Sequence, residues 1–413
     1  MTEEKPFLYP SWLDDPALRD VLAVLPQARP VGGCVRDALA GRPVADIDLA
    51  VPMPPEQTLQ RLEQAGLHSI PTGLSHGTVT AVSRGQHFEI TSLRRDLATD
   101  GRHAEVSFTD DWQEDAARRD FTINAMFLSP DGTLHDYFGG LDDLRAGRVR
   151  FVGQAGRRVA EDRLRALRFF RFQARYGRWE QGTEPDAAAM QAITAIAGEL
   201  TQLSAERVWS ELRRILTGPH LAAILAAMEQ TGVLPVLFPA GYDPAPLVEA
   251  VANGMPGEGL AEEAIPRLAL LVGEKEPPRT LAERLRLSGQ EAGRLTACLD
   301  GSVPVWDGAE DTVSLRRLLA DDPAQALIDR AWVMLRDERA AHLTRLLAPL
   351  NRPNFPLAGR DLLAAGLAVP GPALGHLLDT LRTEWRRRGC QEGEEEKAAL
   401  LAWVEDGLKA GEI

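Results

Sequence analysis

Over the first 150 residues the spacing of apolar and polar positions keeps changing, as it does where short strands and helices alternate. "QARPV" is a short extended run, "VRDALAG" a helical turn stopped by Gly41, and "DIDLAV" alternates acidic and apolar residues as a strand does. "PEQTLQRLEQAG" has helical spacing, opens on proline and stops at Gly66. In "GTVTAVSRGQHFEITSL" two β-branched runs meet at Arg84-Gly85-Gln86, which predicts a hairpin. "RRDLATDGRHAE" is polar without a period and predicts a mobile loop; "DFTINAMFLSPDGTLHDYF" predicts two short strands around Pro130-Asp131-Gly132.

From about Arg157 the period is helical almost throughout. "RRVAEDRLRALRFFRFQARYG" reads as a helix ending at Gly177, "PDAAAMQAITAIAGEL" starts on Pro185, and Ser204 is the expected cap of "SAERVWSELRRIL". Later helices are separated by proline and glycine clusters with no fixed repeat, which excludes a solenoid. The expected class is α+β, with a mixed-sheet head at residues 1–152. An all-helical neck (153–216), body (217–310) and tail (311–413) follow.

A chain of 413 residues exceeds what one core comfortably serves, so several domains are expected. No apolar run approaches the roughly 20 residues of a membrane span, and the acidic start has no signal-like apolar core, so the expected setting is cytoplasmic, with no membrane partner. Cys34, Cys298 and Cys390 are odd in number and far apart, which fits reduced thiols rather than a disulfide framework or a metal knot. A net charge of −14 argues against nucleic acid until its distribution is read. Residues 145–178 carry eleven arginines against Glu161 and Asp162 alone, a basic patch inside an acidic molecule.

Candidate chemistry starts at Asp46 and Asp48. Two apart on a strand, they share a face. Carboxylates this close repel, and a hard cation such as Mg2+ removes the conflict while taking water and phosphate oxygens as its other ligands. Polymerase-type sites use such an arrangement to activate a hydroxyl and stabilise departing pyrophosphate. Glu89 in "FEITSL", a β run of the same domain, is the candidate third carboxylate. Taken alone the pair also reads as the wet face of an edge strand. Gly32 and Gly33 stand where a strand hands over to a helix, a place where backbone amides approach phosphate, and Arg36 lies on the first turn.

These features, followed in order by "RRDFTINAMF", "LHDYFGGLDDLRAGRVRFVG", "RVAEDRLRALRFFRFQARYG" and "LSAERVWSELRRIL", resemble the class II tRNA nucleotidyltransferases (CCA-adding enzymes) and bacterial poly(A) polymerases of the nucleotidyltransferase superfamily. The resemblance covers residues 28–216 closely, with a weaker echo in "FPLAGRDLLAAGLAVPGPALG". It implies metal binding by Asp46 and Asp48, with Glu89 as third carboxylate. It also implies triphosphate or sugar contacts from Gly33, Arg36 and Arg119, and a ribose pocket shaped by Asp120 and Asn124. Arg118 and Arg119 alone would equally read as solvated charges at a helix end.

Glu161, Asp162 and Arg165 match the EDxxR motif that serves in that family as an amino-acid template for the incoming base. Asp162 and Arg165, three apart, are expected on one helix face. A carboxylate accepting from an amino group beside a guanidinium donating to a ring nitrogen suits cytosine and adenine and rejects uracil and guanine. An exposed intrahelical salt bridge is the plainer alternative. Arg168 and Arg171 continue at three-residue steps toward phosphates of nucleotide or RNA. The family's proline after the aspartate is Arg163 here, which touches only the start of the helix.

The resemblance implies CTP and ATP as substrates and a tRNA 3′ end as partner. Residues 94–106, with Asp100-Gly101-Arg102, match the family's specificity loop at full length, which favours CCA addition over CC addition. The features expected of a poly(A) polymerase, a basic-apolar segment after the aspartates and a basic C-terminus, are absent from the sequence. Addition of the terminal A alone, or a non-catalytic RNA-binding role, are the other readings. Arg213, Arg214 and the run Arg386–Arg387–Arg388 are candidate tRNA contacts that equally read as solvated helix faces.

Overall fold

The computed structural model describes residues 7–99, 104–179, 184–260, 263–300, 311–368 and 370–410. The chain divides into two compact units, residues 1–239 and 240–413.

The first unit is built on strands β1 (Arg29–Pro30), β2 (Leu49–Val51), β3 (His68–Gly73), β4 (Thr78–Ser83) and β5 (Gln86–Ser92). They form one mixed sheet in the order β1-β2-β5-β4-β3, in which only β2 and β5 run parallel. All three residues of β2 are buried, as a central strand requires. Helices α1 (Pro16–Val24), α2 (Gly33–Leu39) and α3 (Pro55–Gln64) cover the sheet. Leu18, Val21 and Leu62 share its core with Leu49, Val79 and Phe88. Asp15 caps α1 by accepting from the Ala17 amide at 2.7 Å.

The β4–β5 hairpin is as expected. Ser83 pairs with Gln86, and the two turn residues, Arg84 and Gly85, have φ of 49° and 80°, the two-residue turn whose twist matches the strands. The strand at "DIDLAV" is shorter than expected and starts only at Leu49. β1 offers two residues and the ladder to β5 begins at Leu49–Ile90, so Asp46 and Asp48 stand on extended backbone just before the strand. The Val31 amide still ties that backbone by donating to the Asp48 carbonyl at 2.9 Å.

The expected mobile loop is instead a ribbon. β6 (Arg94–Thr99) pairs antiparallel with β7 (Ala104–Phe108), from Arg94–Phe108 to Thr99–Ala104. The ribbon pairs only with itself and stands outside the five-stranded sheet. Asp100, Gly101 and Arg102 lie outside the described residues. Helix α4 (Trp112–Ala117) follows, and then β8 (Met126–Leu128) and β9 (Leu134–Asp136) pair as predicted.

After α5 (Gly140–Ala146) the expected single helix is two, α6 (Ala155–Glu161) and α7 (Leu164–Tyr176). Asp162 breaks it, with extended φ and ψ of −149° and 107°, and its carboxylate accepts from the Leu164 amide at 3.1 Å to start α7. Arg163 pairs with Glu199 at 2.6 Å. Phe169 and Phe172 of α7 pack with Phe121 and Phe151 in a cluster of rings 5.0 to 6.4 Å apart, which seats α7 on the sheet-bearing part. Helices α8 (Ala187–Ile196), α9 (Ala205–Leu216), α10 (Leu221–Gln230) and α11 (Val233–Leu237) complete the unit. Ser204 stands at the cap position of α9, without a side-chain cap bond.

The second unit is helical. The helix Ala264–Val272 is buried along its whole length, and Arg294 joins the buried Asp329 at 2.6 Å and Glu263 at 3.0 Å. Leu362, Leu381, Trp385, Leu400 and Val404 form a further core. No described helix is long and apolar enough to cross a membrane, and the three cysteines are buried and unpaired.

Candidate active site

A polar cavity of about 630 Å³ in the first unit opens between the end of the sheet, the RRD segment and the start of α7. The turn from β1 into α2 forms one wall. Gly32 has φ 71° and ψ −114°, a conformation open only to glycine, and a Cβ there would lie 3.4 Å from the Arg119 guanidinium. Gly33 also lines the wall, and Arg36, one turn along α2, is buried with its guanidinium facing the cavity. Arg36 donates to Asn124 Oδ1 at 2.5 Å and to Asp37 at 3.0 Å, and lies 4.4 Å from the centre of the Tyr176 ring.

Asp48 and Glu89 both line the cavity. They meet because β2 runs parallel to β5: Leu49 and Ile90 pair with their side chains in the core, so the residues one step before them, Asp48 and Glu89, turn to the other face. Asp48 is exposed on the side that faces the cavity and partly desolvated by the protein behind it. That desolvation first, then the charges of Glu89 and Asp46, push its carboxyl above the usual range, against the pull of Arg119. Asp46 is exposed and stands outside the cavity lining, within electrostatic reach of Asp48. Among the described residues no three His, Cys, Asp or Glu side chains close on one point as a finished ligand set. The chemistry of the donors nevertheless fits a hard divalent ion: they are carboxylate oxygens, and their mutual repulsion is what such an ion relieves.

The arginines opposite are fixed by a carboxylate that the motif reading passed over. Asp115 on α4 is 1% exposed, and one oxygen takes Arg118 Nη2 at 2.6 Å while the other takes Arg119 Nη2 at 2.9 Å. Its first oxygen also accepts from the Arg94 amide at 3.2 Å, which ties the foot of the β6–β7 ribbon to the same point. Spacings of three and four from Asp115 to the two arginines were the available signal. Arg118 and Arg119 are therefore held ion pairs on the cavity wall rather than solvated charges.

Asp120 and Asn124 are buried beside them. Asp120 accepts from Asn124 at 3.0 Å and from Arg168 at 2.8 and 2.5 Å. Burial opposes its ionisation, but Arg168 and these hydrogen bonds outweigh it and hold the carboxyl below the usual range. Gly140 belongs to the same framework, because a Cβ there would collide with the Thr122 carbonyl.

At the α6–α7 junction Asp162 and Arg165 both line the cavity, although they do not share a helix face as expected, since Asp162 precedes α7. The break between helices brings them there: the Arg165 amide closes a turn on the Asp162 carbonyl at 3.0 Å. Asp162 accepts from Arg207 at 2.7 Å. Arg165 donates to Glu161 at 2.9 Å and to the Arg118 carbonyl at 3.1 Å, so Glu161 stands behind Arg165 and outside the lining. Arg168 reaches the cavity. Arg171 does not: it pairs with the buried Glu211 of α9 at 2.6 Å.

Thr78 and Thr91 also line the cavity, their hydroxyls 3.2 Å apart, and Thr91 lies two residues from Glu89 on the same face, a position strand alternation could have supplied. The run at 386–388 is not a set of free cations: Arg387 and Arg388 bind Glu384 at 2.7 and 2.8 Å, and Arg386 pairs with Asp321.

With this geometry in hand, two family models match the chain: "Poly A polymerase head domain" over residues 28–150 and "Probable RNA and SrmB- binding site of polymerase A" over residues 184–242. The mitochondrial CCA tRNA nucleotidyltransferase 1 of Mus musculus is 36% identical over 384 residues, 92% of this chain and 86% of the relative. The CCA-adding enzyme of Geobacillus stearothermophilus is 30% identical over 94% of this chain and 97% of its own length. The crystal structure of the Bacillus stearothermophilus CCA-adding enzyme in complex with CTP superposes with a TM-score of 0.69 at 25% identity, covering 96% of this chain and 99% of that one.

Proposed function

The chain belongs to the CCA tRNA nucleotidyltransferase family, and from that premise we propose that it adds CCA to the 3′ end of tRNA from CTP and ATP, without a nucleic-acid template. The observation that carries this reading is the single cavity with carboxylates Asp48 and Glu89 at one end and the Asp162–Arg165 pair at the other. A site with only the first end would transfer nucleotides without choosing them, and one with only the second would bind without reacting.

In the proposed reaction the terminal hydroxyl oxygen of the RNA attacks the α-phosphorus, a phosphodiester bond forms, the bond to the β-phosphate breaks, and pyrophosphate leaves. The family implies a divalent ion; we propose Mg2+, held by Asp48 and Asp46 with Glu89 as third carboxylate, supplying hydroxyl activation and charge neutralisation in the two-metal manner. The Gly32–Gly33 turn lets the triphosphate approach the backbone, while Arg36 and Arg119 offset its charge. Both arginines are pre-set by Asn124 and Asp115, so little reorganisation accompanies binding. Asp120 and Arg168, locked to each other, shape the sugar pocket. Asp162 accepts from the exocyclic amino group and Arg165 donates to the ring nitrogen, the pattern common to C and A.

Residues 1–152 are proposed as the catalytic head and 153–216 as the neck carrying the base reader. The body (217–310) and tail (311–413) are proposed to hold tRNA by phosphate contacts and shape. The cytoplasm is the proposed setting, and the buried, unpaired cysteines suit a reducing compartment. The test is extension of tRNA lacking its 3′ CCA with CTP, ATP and Mg2+: growth by three nucleotides is expected. Growth by two would make it a CC-adding enzyme, and a long ladder a poly(A) polymerase. No growth would overturn catalysis.

A further inference from the structure

A second hollow in the first unit, about 400 Å³, lies behind the reaction cavity along the same two helices. The cavity takes Arg36 from α2 and Phe172 from α7; the hollow takes Leu39 and Ala40 from the end of α2, and Arg175 and Tyr176 from the end of α7. The Tyr176 ring lines the hollow and stands between two arginines, with the guanidinium of Arg36, which lines the cavity, 4.4 Å from its centre and that of Arg42, which lines the hollow, 5.0 Å from it. Seven residues along α7, from Arg168 to Arg175, separate the two places by about 10 Å.

The cations of this hollow come from separate elements: Arg42 after α2, Arg145 on α5, Arg175 on α7 and, beside them, the His220 imidazole at the start of α10. No carboxylate lines it among the described residues. The nearest acid on α2, Asp37, is already bonded to Arg36 at 3.0 Å and to the Tyr176 hydroxyl at 2.5 Å. Arg42 is oriented, because it donates to the Arg175 carbonyl at 2.7 Å. Three guanidinium groups open onto one hollow whose lining holds no carboxylate, and Asp37, the acid whose charge reaches Arg175, is already shared with Arg36 and the Tyr176 hydroxyl, so the hollow favours an anion.

We propose that this hollow binds backbone phosphate of the RNA substrate, upstream of the 3′ end that enters the cavity. This rests on the nucleotidyltransferase reading above. The three arginine side chains are exposed at an open surface, which suits a strand passing over better than a small molecule held inside. The lining's one tyrosine hydroxyl is occupied by Asp37, and its one imidazole, His220, is stacked on Trp179 with ring centroids 5.5 Å apart. Charge without base recognition positions a nucleic acid and is indifferent to its sequence. Arg42, Arg145 and Arg175 are thus positioning residues for RNA.

The test compares the whole protein with the triple variants R42Q/R145Q/R175Q and R42K/R145K/R175K, measuring affinity for tRNA lacking its CCA end between 50 and 200 mM salt and the KM for CTP. Loss of three phosphate contacts lowers the slope of log affinity against log salt by about 2 and weakens RNA binding on the order of a hundredfold at 50 mM, shrinking to roughly sixfold at 200 mM. The expected result is that loss in the glutamine variant, retention in the lysine variant, and an unchanged KM for CTP. An unchanged salt slope in the glutamine variant overturns the proposal, and so does a loss confined to binding of free pyrophosphate, which would make the hollow a small-anion site. Nucleotide incorporation by the wild-type protein in the same assay separates failure of this inference from failure of the catalytic reading.

Discussion

Asp162 shows how much a single residue is asked to do. It ends α6, starts α7 through its carboxylate, and presents that carboxylate to the cavity with Arg165 one turn later. The pairing of these residue types was legible in the sequence; the helix break that lets them meet was not, because an arginine stands where a proline would have announced it. Asp48 and Asp162 occupy opposite ends of the cavity, so their removal has different consequences. Asp48→Ala is expected to reduce incorporation of every nucleotide by at least 10²–10³, the scale seen when a charge-stabilising group is lost, with the fold intact by circular dichroism. Asp162→Ala is expected to keep turnover and admit UTP alongside CTP. Unaltered base preference in the second variant, measured by single-nucleotide incorporation, would remove its role as base reader.

At the scale of elements, legibility follows burial. β5 has a core face, and its alternation announces the sheet and the side on which Glu89 stands, while β2, buried on both faces, is marked by the short apolar run that follows Asp48. Edge strand β3, whose residues are largely exposed, leaves no such imprint and escapes detection, and the β6–β7 ribbon reads as a loop because "RRDLATDGRHAE" carries no strict alternation. Asp115 escaped for another reason: a buried acid is meaningful only with its partners, which here come from β6 and the RRD segment. The helix Pro372–Arg387 shows the same rule in the second unit. Glu384 is buried, and hydrogen bonding to Arg387, against burial and with help from Arg388, pulls its carboxyl down from 4.5 to about 2. A depressed acid contributes stability that is present above its unfolded value and lost as pH falls through the folded one. Glu384→Gln is therefore expected to lower the denaturation midpoint at neutral pH, with the gap from wild type closing between about pH 4.5 and pH 2. A gap that does not change with pH would show that the ion pairs contribute nothing there.

Over the whole molecule, net acidity and local basicity divide the work. A charge of −14 keeps the surface at large from holding RNA indiscriminately, while arginines concentrated in one stretch of the first unit line the cavity and the hollow behind it. Most of that stretch is not free charge: Arg148, Arg150, Arg157, Arg158, Arg163, Arg165, Arg168 and Arg171, eight of the eleven, are committed to acids within the unit. Composition alone overstated the basic surface, since ion pairing is a property of the fold. The central claim is that one cavity both transfers the nucleotide and chooses it without a template. Supplying tRNA that lacks its 3′ end with all four nucleoside triphosphates together and sequencing the product tests this most directly. The account predicts that the added residues read CCA and stop; incorporation of U or G, or a run of A, would contradict it.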